Sequence, residues 1–347
     1  MTDLPFGSLS IHRETEAGRE IFVTFDSSGV LTAFNGHVDL GTGIQTALAQ
    51  IVAEEAGLPL SRVQVVLGDT NRTPDQGPTI ASETIQVTAV PLRAAAAQLR
   101  QELTRRGARR LNAPNDGVAL SEGRILWKDT AVPYEALLEG REESLPLDLS
   151  APVKSPADYS IVGQKTARQD LPAKVTGQHT YIHDVDVPGM IHGHVIRPPY
   201  TGRDSGPFIG TSLIGWDETA VQHMPGFIAV VRQGDFLGVA AERADQAQAI
   251  AEALPVQWRQ PPAAPDLSDL RHAIRNQPST PRALDRTGDF DRGMAESETT
   301  LSRTYVWPYH LHGSIGPSCA VADWNGGAPV VWSGSQNPHM LRGDLAT

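Results

Sequence analysis

The stretch Asp39-Leu40-Gly41-Thr42-Gly43-Ile44-Gln45-Thr46 sets two glycines among small polar residues directly ahead of a helical pattern. Those residue types at that spacing suit the binding of an anion. The first backbone N–H groups of a helix have no partner inside it, and with the helix dipole they can hold a phosphate or a carboxylate. Gly41 and Gly43 let another backbone or a ligand come close, and Thr42 is placed to cap the helix. The same glycines suit a plain tight connection, so the spacing alone leaves both readings open. A nicotinamide dinucleotide site fits poorly: the third glycine of G-x-G-x-x-G is replaced by Thr46, and no acidic residue follows a strand at the required distance.

Other residues that could do chemistry are sparse. The single cysteine, Cys319, excludes an internal disulfide, a four-cysteine zinc site and an iron–sulfur cluster within the chain. It reads as a small buried residue. His179 and His183 fall four apart, His192 and His194 two apart, and His310 and His312 precede Gly313. Such pairs share a face of a strand, but no carboxylate or cysteine completes a ligand set, so no metal held directly by side chains is expected. Arg105, Arg106, Arg109 and Arg110 form a basic helix end, explained by the helix dipole and solvation.

The elements that must position the glycine turn are legible around it. Gly29 to Val38 reads as a strand. Ile44, Ala47, Leu48, Ile51, Val52 and Ala56 recur at helical spacing, Leu58-Pro59 ends the helix, and Val63 to Leu67 reads as the next strand. The polar stretch from Gly68 to Thr79 is too long for a mere turn, and loops of that kind are often functional. A helix is expected over Leu92–Leu111, with Pro91 either opening it or kinking a longer one. A hairpin is expected at Gly117–Trp127. Prolines between Glu142 and Ser160 suggest a linker. Beyond it, strands are expected at Thr180–Val185, Met190–Ile196, Phe227–Val231 and Phe236–Ala241, with a helix over Glu242–Leu254. A proline-rich connector follows over Gln260–Pro281. Strands near Thr299–Thr304, Cys319–Asp323 and Pro329–Trp332 come next, and a helix begins at Pro338.

The 347 residues suffice for two or three domains, and a net charge of −11 argues against a nucleic-acid partner. No apolar run of about 18 residues exists, so no membrane span is expected. The start, Met1-Thr2-Asp3-Leu4-Pro5, carries neither a twin-arginine nor an apolar signal region. The expected location is cytoplasmic, or periplasmic only if a partner carries the chain across a membrane.

Four segments in order resemble the molybdopterin-binding subunits of the xanthine dehydrogenase/aldehyde oxidase family, especially the isoquinoline 1-oxidoreductase and nicotinate dehydrogenase type. They are Val38–Ile51, then Gly77–Thr84, then Asp170–Gly177 with Tyr181–Asp184 and Pro188–Met190, and finally Gly313–Ala322 with Trp332–Gln336. The resemblance implies an α+β (mixed α/β) fold in which molybdopterin-binding pieces flank an α/β hammerhead domain. The implied segments are 1–145 (cofactor-binding), 146–160 (linker), 161–260 (hammerhead), 261–284 (proline-rich connector) and 285–347 (the incomplete start of the first molybdopterin-binding domain).

By the same resemblance, Gly41, Thr42, Gly43 and Gln45 contact the phosphates of a pterin dinucleotide, and Thr79, Ala81, Ser82, Glu83 and Thr84 form a second cofactor loop. Two bland readings remain beside these: a tight turn for the first group, and Ser82 as a helix cap for the second. Gln336 corresponds to a glutamine near the metal's oxo ligand, where an amide donor stabilises developing negative charge. The bland reading there is a polar residue facing solvent after a strand. Gly316, Pro317 and Ser318 fall where xanthine dehydrogenases carry a charged substrate contact, so the substrate is expected to be another N-heteroaromatic compound or an aldehyde.

The implied cofactor is molybdopterin, as the cytosine dinucleotide, carrying molybdenum, with water as oxygen source. The implied partners are a small iron–sulfur subunit that carries [2Fe-2S] clusters, a second molybdopterin-binding chain, and a cytochrome or flavin subunit. The family's glycine- and phenylalanine-rich loop and its late glutamate base have no match here, so the general base is expected on the second chain, from either a split subunit or a truncated gene. The competing reading is a non-catalytic cofactor-binding or scaffold chain, a decayed paralogue.

Overall fold

A computed structural model describes residues 7–200, 210–261, 263, 266–308, 310–324 and 326–347. Met1–Phe6 of the expected cofactor segment, and Pro262, Ala264 and Pro265 of the expected connector, lie outside them. The chain divides into two compact units. The first holds the described residues up to Val185 together with Pro317–Thr347, and the second holds Asp186–Gly316.

The first unit is built on β1 (Ser8–Thr15), β2 (Gly18–Asp26), β3 (Leu31–Asn35), α1 (Ile44–Ala56), β4 (Val63–Leu67) and α2 (Ala89–Arg110). The small antiparallel sheet β5 (Ala119–Ser121), β6 (Arg124–Trp127) and β7 (Thr130–Pro133) follows, and then β8 (Glu142–Pro146). The main sheet runs β4-β3-β2-β1-β8. β1–β2–β3 is an antiparallel meander, while β4 and β8 add in parallel at the two edges. A parallel neighbour needs a crossover, and α1 supplies it between β3 and β4. Leu9 and Ile11 lie opposite Phe25 and Val23, and all four are fully buried. Leu48, Val52, Leu92, Leu99 and Leu103 pack into the same core from α1 and α2. Each such side chain contributes roughly 1.5–3 kcal/mol of burial.

Several expectations need correction. Residues 142–146 of the presumed linker form β8; an edge strand tolerates Pro146, because its missing N–H takes nothing from the ladder. The hairpin near Trp127 has a third strand. Thr180–Val185 is not a strand: Asp184 accepts from the Tyr181 amide at 2.9 Å and closes a single 3₁₀ turn at Ile182–Asp184. Pro91 does not open its helix. A π turn at Thr84–Thr88 runs straight into α2, and its widened hydrogen bonding accommodates the proline. The short helix α3 (Leu171–Val175) was not anticipated.

In the second unit, β9 (His192–Ile196), β10 (Leu213–Trp216), β11 (Phe227–Gln233), β12 (Phe236–Ala241), α4 (Ala244–Ala253) and β13 (Val256–Trp258) follow one another. The antiparallel sheet β11-β12-β9 and the β10-β13 pair share a core of Leu237, Val239, Ala247 and Ile250. β10 and β13 escaped the sequence pattern because each is only three or four residues long. The short helices α5 (Leu270–Arg275) and α6 (Phe290–Glu296) come next. No strand forms at residues 299–304, which stay exposed and unpaired in any described ladder. The last elements, β14 (Ala320–Asp323), β15 (Val330–Ser333) and α7 (Pro338–Leu345), belong to the first unit. These boundaries differ from the expected segments, since residues 161–185 and 317–347 pack with the first unit. Among the described residues, no helix is long and apolar enough to cross a membrane.

Candidate functional site

The glycine turn lies between β3 and α1, as the sequence pattern requires, but its amides are already engaged. The Asp39 carboxylate accepts from the N–H groups of Gly41 (2.8 Å), Gly43 (3.2 Å) and Gln45 (3.3 Å). Gly43 is the N-cap residue, at φ 78°, and Thr42 gives no side-chain cap. The expected cap is thereby corrected: an aspartate side chain reaches forward and closes the turn on itself. The amides of Thr42 and Ile44 keep no partner among the described residues. A Cβ on Gly41 would meet nothing within 4 Å, so space beside the turn is open. The Gln45 side chain turns back to donate to the Val65 carbonyl at 3.3 Å.

The second loop is tied to the first by a buried polar network. The Val38 amide donates to the Thr79 hydroxyl oxygen at 2.9 Å, and the Gly36 amide to Gln76 Oε1 at 3.0 Å. His37 is fully buried. Burial pushes its pKa down, opposed in part by the Gln76 carbonyl and by Glu83, so the ring is neutral. Its Nε2 faces the Gln76 carbonyl at 3.4 Å, and its Nδ1 lies 2.8 Å from Thr84 Oγ1. A carbonyl can only accept, so Nε2 carries the proton and Nδ1 accepts from Thr84. Asn35 reaches Thr88 at 3.0 Å below it.

Thr79 and Thr84 therefore point into the protein, whereas Ala81 and Ser82 are exposed on a bend with φ of 49° and 60°. A positive φ at two consecutive non-glycine residues is strained and concentrates at ligand-facing loops. Ser82 caps nothing: the residue ahead of the π turn is Glu83, without a side-chain cap bond.

Gln336, distant in sequence, joins the same network. The Thr79 amide donates to the Gln336 carbonyl at 2.8 Å, and Gln336 Nε2 donates to the Thr79 carbonyl at 2.7 Å. The side chain is thus part-buried and engaged, which corrects the reading of a polar residue simply facing solvent. α7 follows at once. Its His339 is buried beside Thr73, with Nε2 at 3.3 Å from the hydroxyl, and Arg342 donates to the Thr70 carbonyl at 2.7 Å. The buried Nδ1 of His339 has no hydrogen-bond partner among the described residues. Thr79 is the junction at which three separated segments meet.

The remaining candidates stand apart. Gly316, Pro317 and Ser318 are exposed. Pro317 accepts a hydrogen bond from His183 Nε2 at 2.6 Å, and no described hydrogen bond links Pro317 or Ser318 to Gln336. His192 and His194 lie on β9 opposite Ala241 and Val239. Among the described residues, no three His, Cys, Asp or Glu side chains gather as metal ligands. Arg105 and Arg106 pair with Glu102, and Arg106 also with Glu143 at 2.8 Å. Sequence reasoning missed Asp39, His37, Gln76 and Arg168. Asp39 alone had a local signal, an aspartate two residues ahead of a glycine.

Two molybdopterin cofactor-binding domain families match the chain, one over residues 5–188 and one over residues 275–347. A nicotinate dehydrogenase subunit of Pseudomonas putida is 49% identical over 328 residues, which are 94% of this chain and 28% of that protein. The beta subunit of isoquinoline 1-oxidoreductase from Brevundimonas diminuta is 26% identical over 283 residues, 70% of this chain and 35% of that one. Among solved structures, quinoline 2-oxidoreductase from Pseudomonas putida 86 aligns at a TM-score of 0.29 with 20% identity, covering 39% of this chain and 16% of that one. The chain thus spans roughly a quarter to a third of the length of these curated relatives.

Proposed function

We infer the function from one premise: this chain belongs to the molybdopterin-binding subunits of the xanthine dehydrogenase/aldehyde oxidase family. It is the molybdopterin-binding chain, or part of it, in a heteromeric molybdenum hydroxylase. The observation that carries this reading is the meeting of the glycine turn, the second loop and Gln336 through Thr79. Separated segments that converge on one buried junction make a prebuilt wall for a ligand, which is what tight cofactor binding requires.

The residues fit such a cofactor. The turn already holds an anion of its own, the Asp39 carboxylate, and open space lies beside Gly41 and Gly77. With the Gly41, Gly43 and Gln45 amides given to Asp39, the donors left for a phosphate are the amides of Thr42 and Ile44 and the Thr42 hydroxyl. Ala81 and Ser82 present the exposed part of the second loop, with Glu83 beside them, while Thr79 and Thr84 hold it in place. Gln336 fixes its amide on the Thr79 carbonyl, leaving its second N–H to orient a bound oxygen. Gly316, Pro317 and Ser318 remain candidates for the substrate side.

When bound, molybdopterin supplies a two-electron oxidation in which water provides the oxygen; the protein binds and orients. The cytosine dinucleotide form, [2Fe-2S] clusters on a separate subunit, and a second molybdopterin-binding chain complete the proposal. A cytochrome or flavin subunit and a cytoplasmic location go with it. The hammerhead expected over residues 161–260 keeps residues 186–260 on this reading, since 161–185 pack with the first unit. The substrate class is an N-heteroaromatic compound, favoured over an aldehyde by the identity with the nicotinate enzyme's subunit.

The test is to purify the chain together with whatever co-purifies. Molybdenum and released pterin nucleotide are quantified, and nicotinate oxidation is assayed with an artificial electron acceptor. Molybdenum near one atom per assembly with cytidine nucleotide is expected. Absence of both metal and pterin in an intact assembly would leave the scaffold reading.

A further inference from the structure

Arg168 lies on the glycine turn from a segment well over a hundred residues downstream, and no part of the reading above uses it. Its Nη1 donates to the Gly41 carbonyl at 2.9 Å. A Cβ on Gly43 would sit 3.2 Å from its Nε, so the guanidinium presses directly on the turn. Nε and Nη2 grip Asp170 at 2.9 and 2.6 Å, and Lys174 shares that carboxylate at 2.7 Å. The neighbouring Gln169 amide donates to Thr46 Oγ1 at 2.9 Å, pinning the segment to the first helical turn of α1.

The charges make the position informative. The Asp170 side chain is only 6% exposed and serves two cations, so the cluster carries one surplus positive charge beside the turn. The Asp39 carboxylate also acts on Arg168 and offsets that charge, but its oxygens face the turn's own amides. The Arg168 side chain remains 30% exposed. Of its five N–H groups, three are engaged and two remain for another acceptor. A guanidinium held in plane by a carboxylate, with unused donors at a helix N-terminus, suits phosphate recognition.

We propose that Arg168 contacts the pyrophosphate of the bound pterin dinucleotide, with Asp170 and Lys174 as the residues that hold its plane. This rests on the reading that the turn serves a phosphorylated pterin. The engaged Gly41, Gly43 and Gln45 amides shape the turn, and the cation supplies charge that those amides cannot give.

The test uses the chain purified with its partners, wild type beside Arg168→Ala, Arg168→Lys and Asp170→Asn. Two quantities are measured: pterin nucleotide released from the purified protein, and inorganic pyrophosphate binding after the cofactor is removed. Melting temperatures check folding. Arg168→Ala is expected to bind pyrophosphate about tenfold more weakly, the loss of one charge-assisted contact. Arg168→Lys should fall between it and wild type. Asp170→Asn lets the guanidinium leave its plane but keeps the charge, so it is expected to weaken binding less than Arg168→Ala does. A purely structural strap predicts that Arg168→Lys weakens binding as much as Arg168→Ala and that the melting temperature falls with it, and that result overturns the proposal. So does unchanged binding in Arg168→Ala while wild type binds. If wild type itself neither releases pterin nucleotide nor binds pyrophosphate, the function proposed above fails, and this inference with it.

Discussion

The sheet with α1 and α2 and the stretch from Ser297 to Ser318 are packed in opposite ways. In the first, Leu9, Phe25, Leu48 and Leu99 are wholly buried, and even two charged residues, Glu54 and Glu55, are 1% exposed. In the second, every described residue is exposed, and Trp307 and Leu311 stand 78% and 87% open. The cofactor-side candidates grow out of the well-packed region, whereas Gly316, Pro317 and Ser318 sit on or beside the open one. Preorganisation is therefore confined to one side of the proposed chemistry. Elements of this chain fix the Thr79 junction by packing and hydrogen bonds, while the substrate-side candidates have no such support within their own stretch.

The strongest way to break this contrast is to empty the core. Leu99→Ala removes a fully buried side chain between α2 and the sheet. A cost of about 3 kcal/mol is expected in chemical denaturation of the purified chain. A loss under about 1 kcal/mol would mean the region is looser than its burial indicates.

Glu54 comes next. Burial alone pushes its carboxyl up, but the Lys154 ammonium and the amides of Ile161, Val162 and Ser160 outweigh that and hold its pKa at about 2. The folded value lies below the ordinary 4.5, so the unfolded chain takes up its proton first as pH falls. The stabilisation is fully present above about pH 4.5 and is lost as the pH drops toward 2. It amounts to about 3 kcal/mol. Glu54→Gln is expected to lower stability at pH 7 by an amount of that order and to flatten its dependence below pH 5. An acid limb equally steep in the variant would remove Glu54 as its source.

How much of this was legible depended on distance along the chain. The β3–turn–α1–β4 unit showed in its turn residues, in Leu48, Val52 and Ala56 at helical spacing, and in the apolar run Val63–Leu67. α4 and α7 showed in the same way. β8 did not, because Pro146 and the prolines after it signal a linker locally and only the pairing with β1 makes it a strand. Nothing local in the sequence marks Glu54 and Glu55 as buried; their partners, Arg93, Arg100 and Lys154, come from elsewhere in the fold. The Asp39 cap was readable and missed. The Thr79–Gln336 clasp was not readable, since its residues lie 257 apart and neither type demands the other. Resemblance named both ends without linking them.

Thr79 tests the cofactor side more gently. Thr79→Val keeps the shape but leaves the Val38 amide without its acceptor. A cost of about 1 kcal/mol follows from an unsatisfied part-buried donor, with reduced pterin content in the purified assembly. Thr79→Ser restores the hydroxyl and should recover most of both. Full pterin content in Thr79→Val would detach the junction from cofactor binding and weaken the contrast drawn above.

The smallest effect is expected where the chain is most open. Trp307→Ser and Leu311→Ser change side chains that lie mostly in solvent, so each should shift the stability of the purified chain by no more than about 0.5 kcal/mol. Large apolar groups are costly to leave in water, and on the proposed reading of a multichain assembly a run of them on one stretch is a candidate for a covered surface. The same two variants should therefore act on assembly: a buried aromatic or leucine anchor is worth about 2 kcal/mol or more at an interface, roughly a thirtyfold loss of partner affinity. Pull-down of co-expressed partners with either variant, set beside the melting temperature of the isolated chain, separates the two quantities. A melting point that falls by several degrees would show that the stretch packs within this chain after all. Unchanged stability together with unchanged partner retention would leave the open surface unexplained by any covering element.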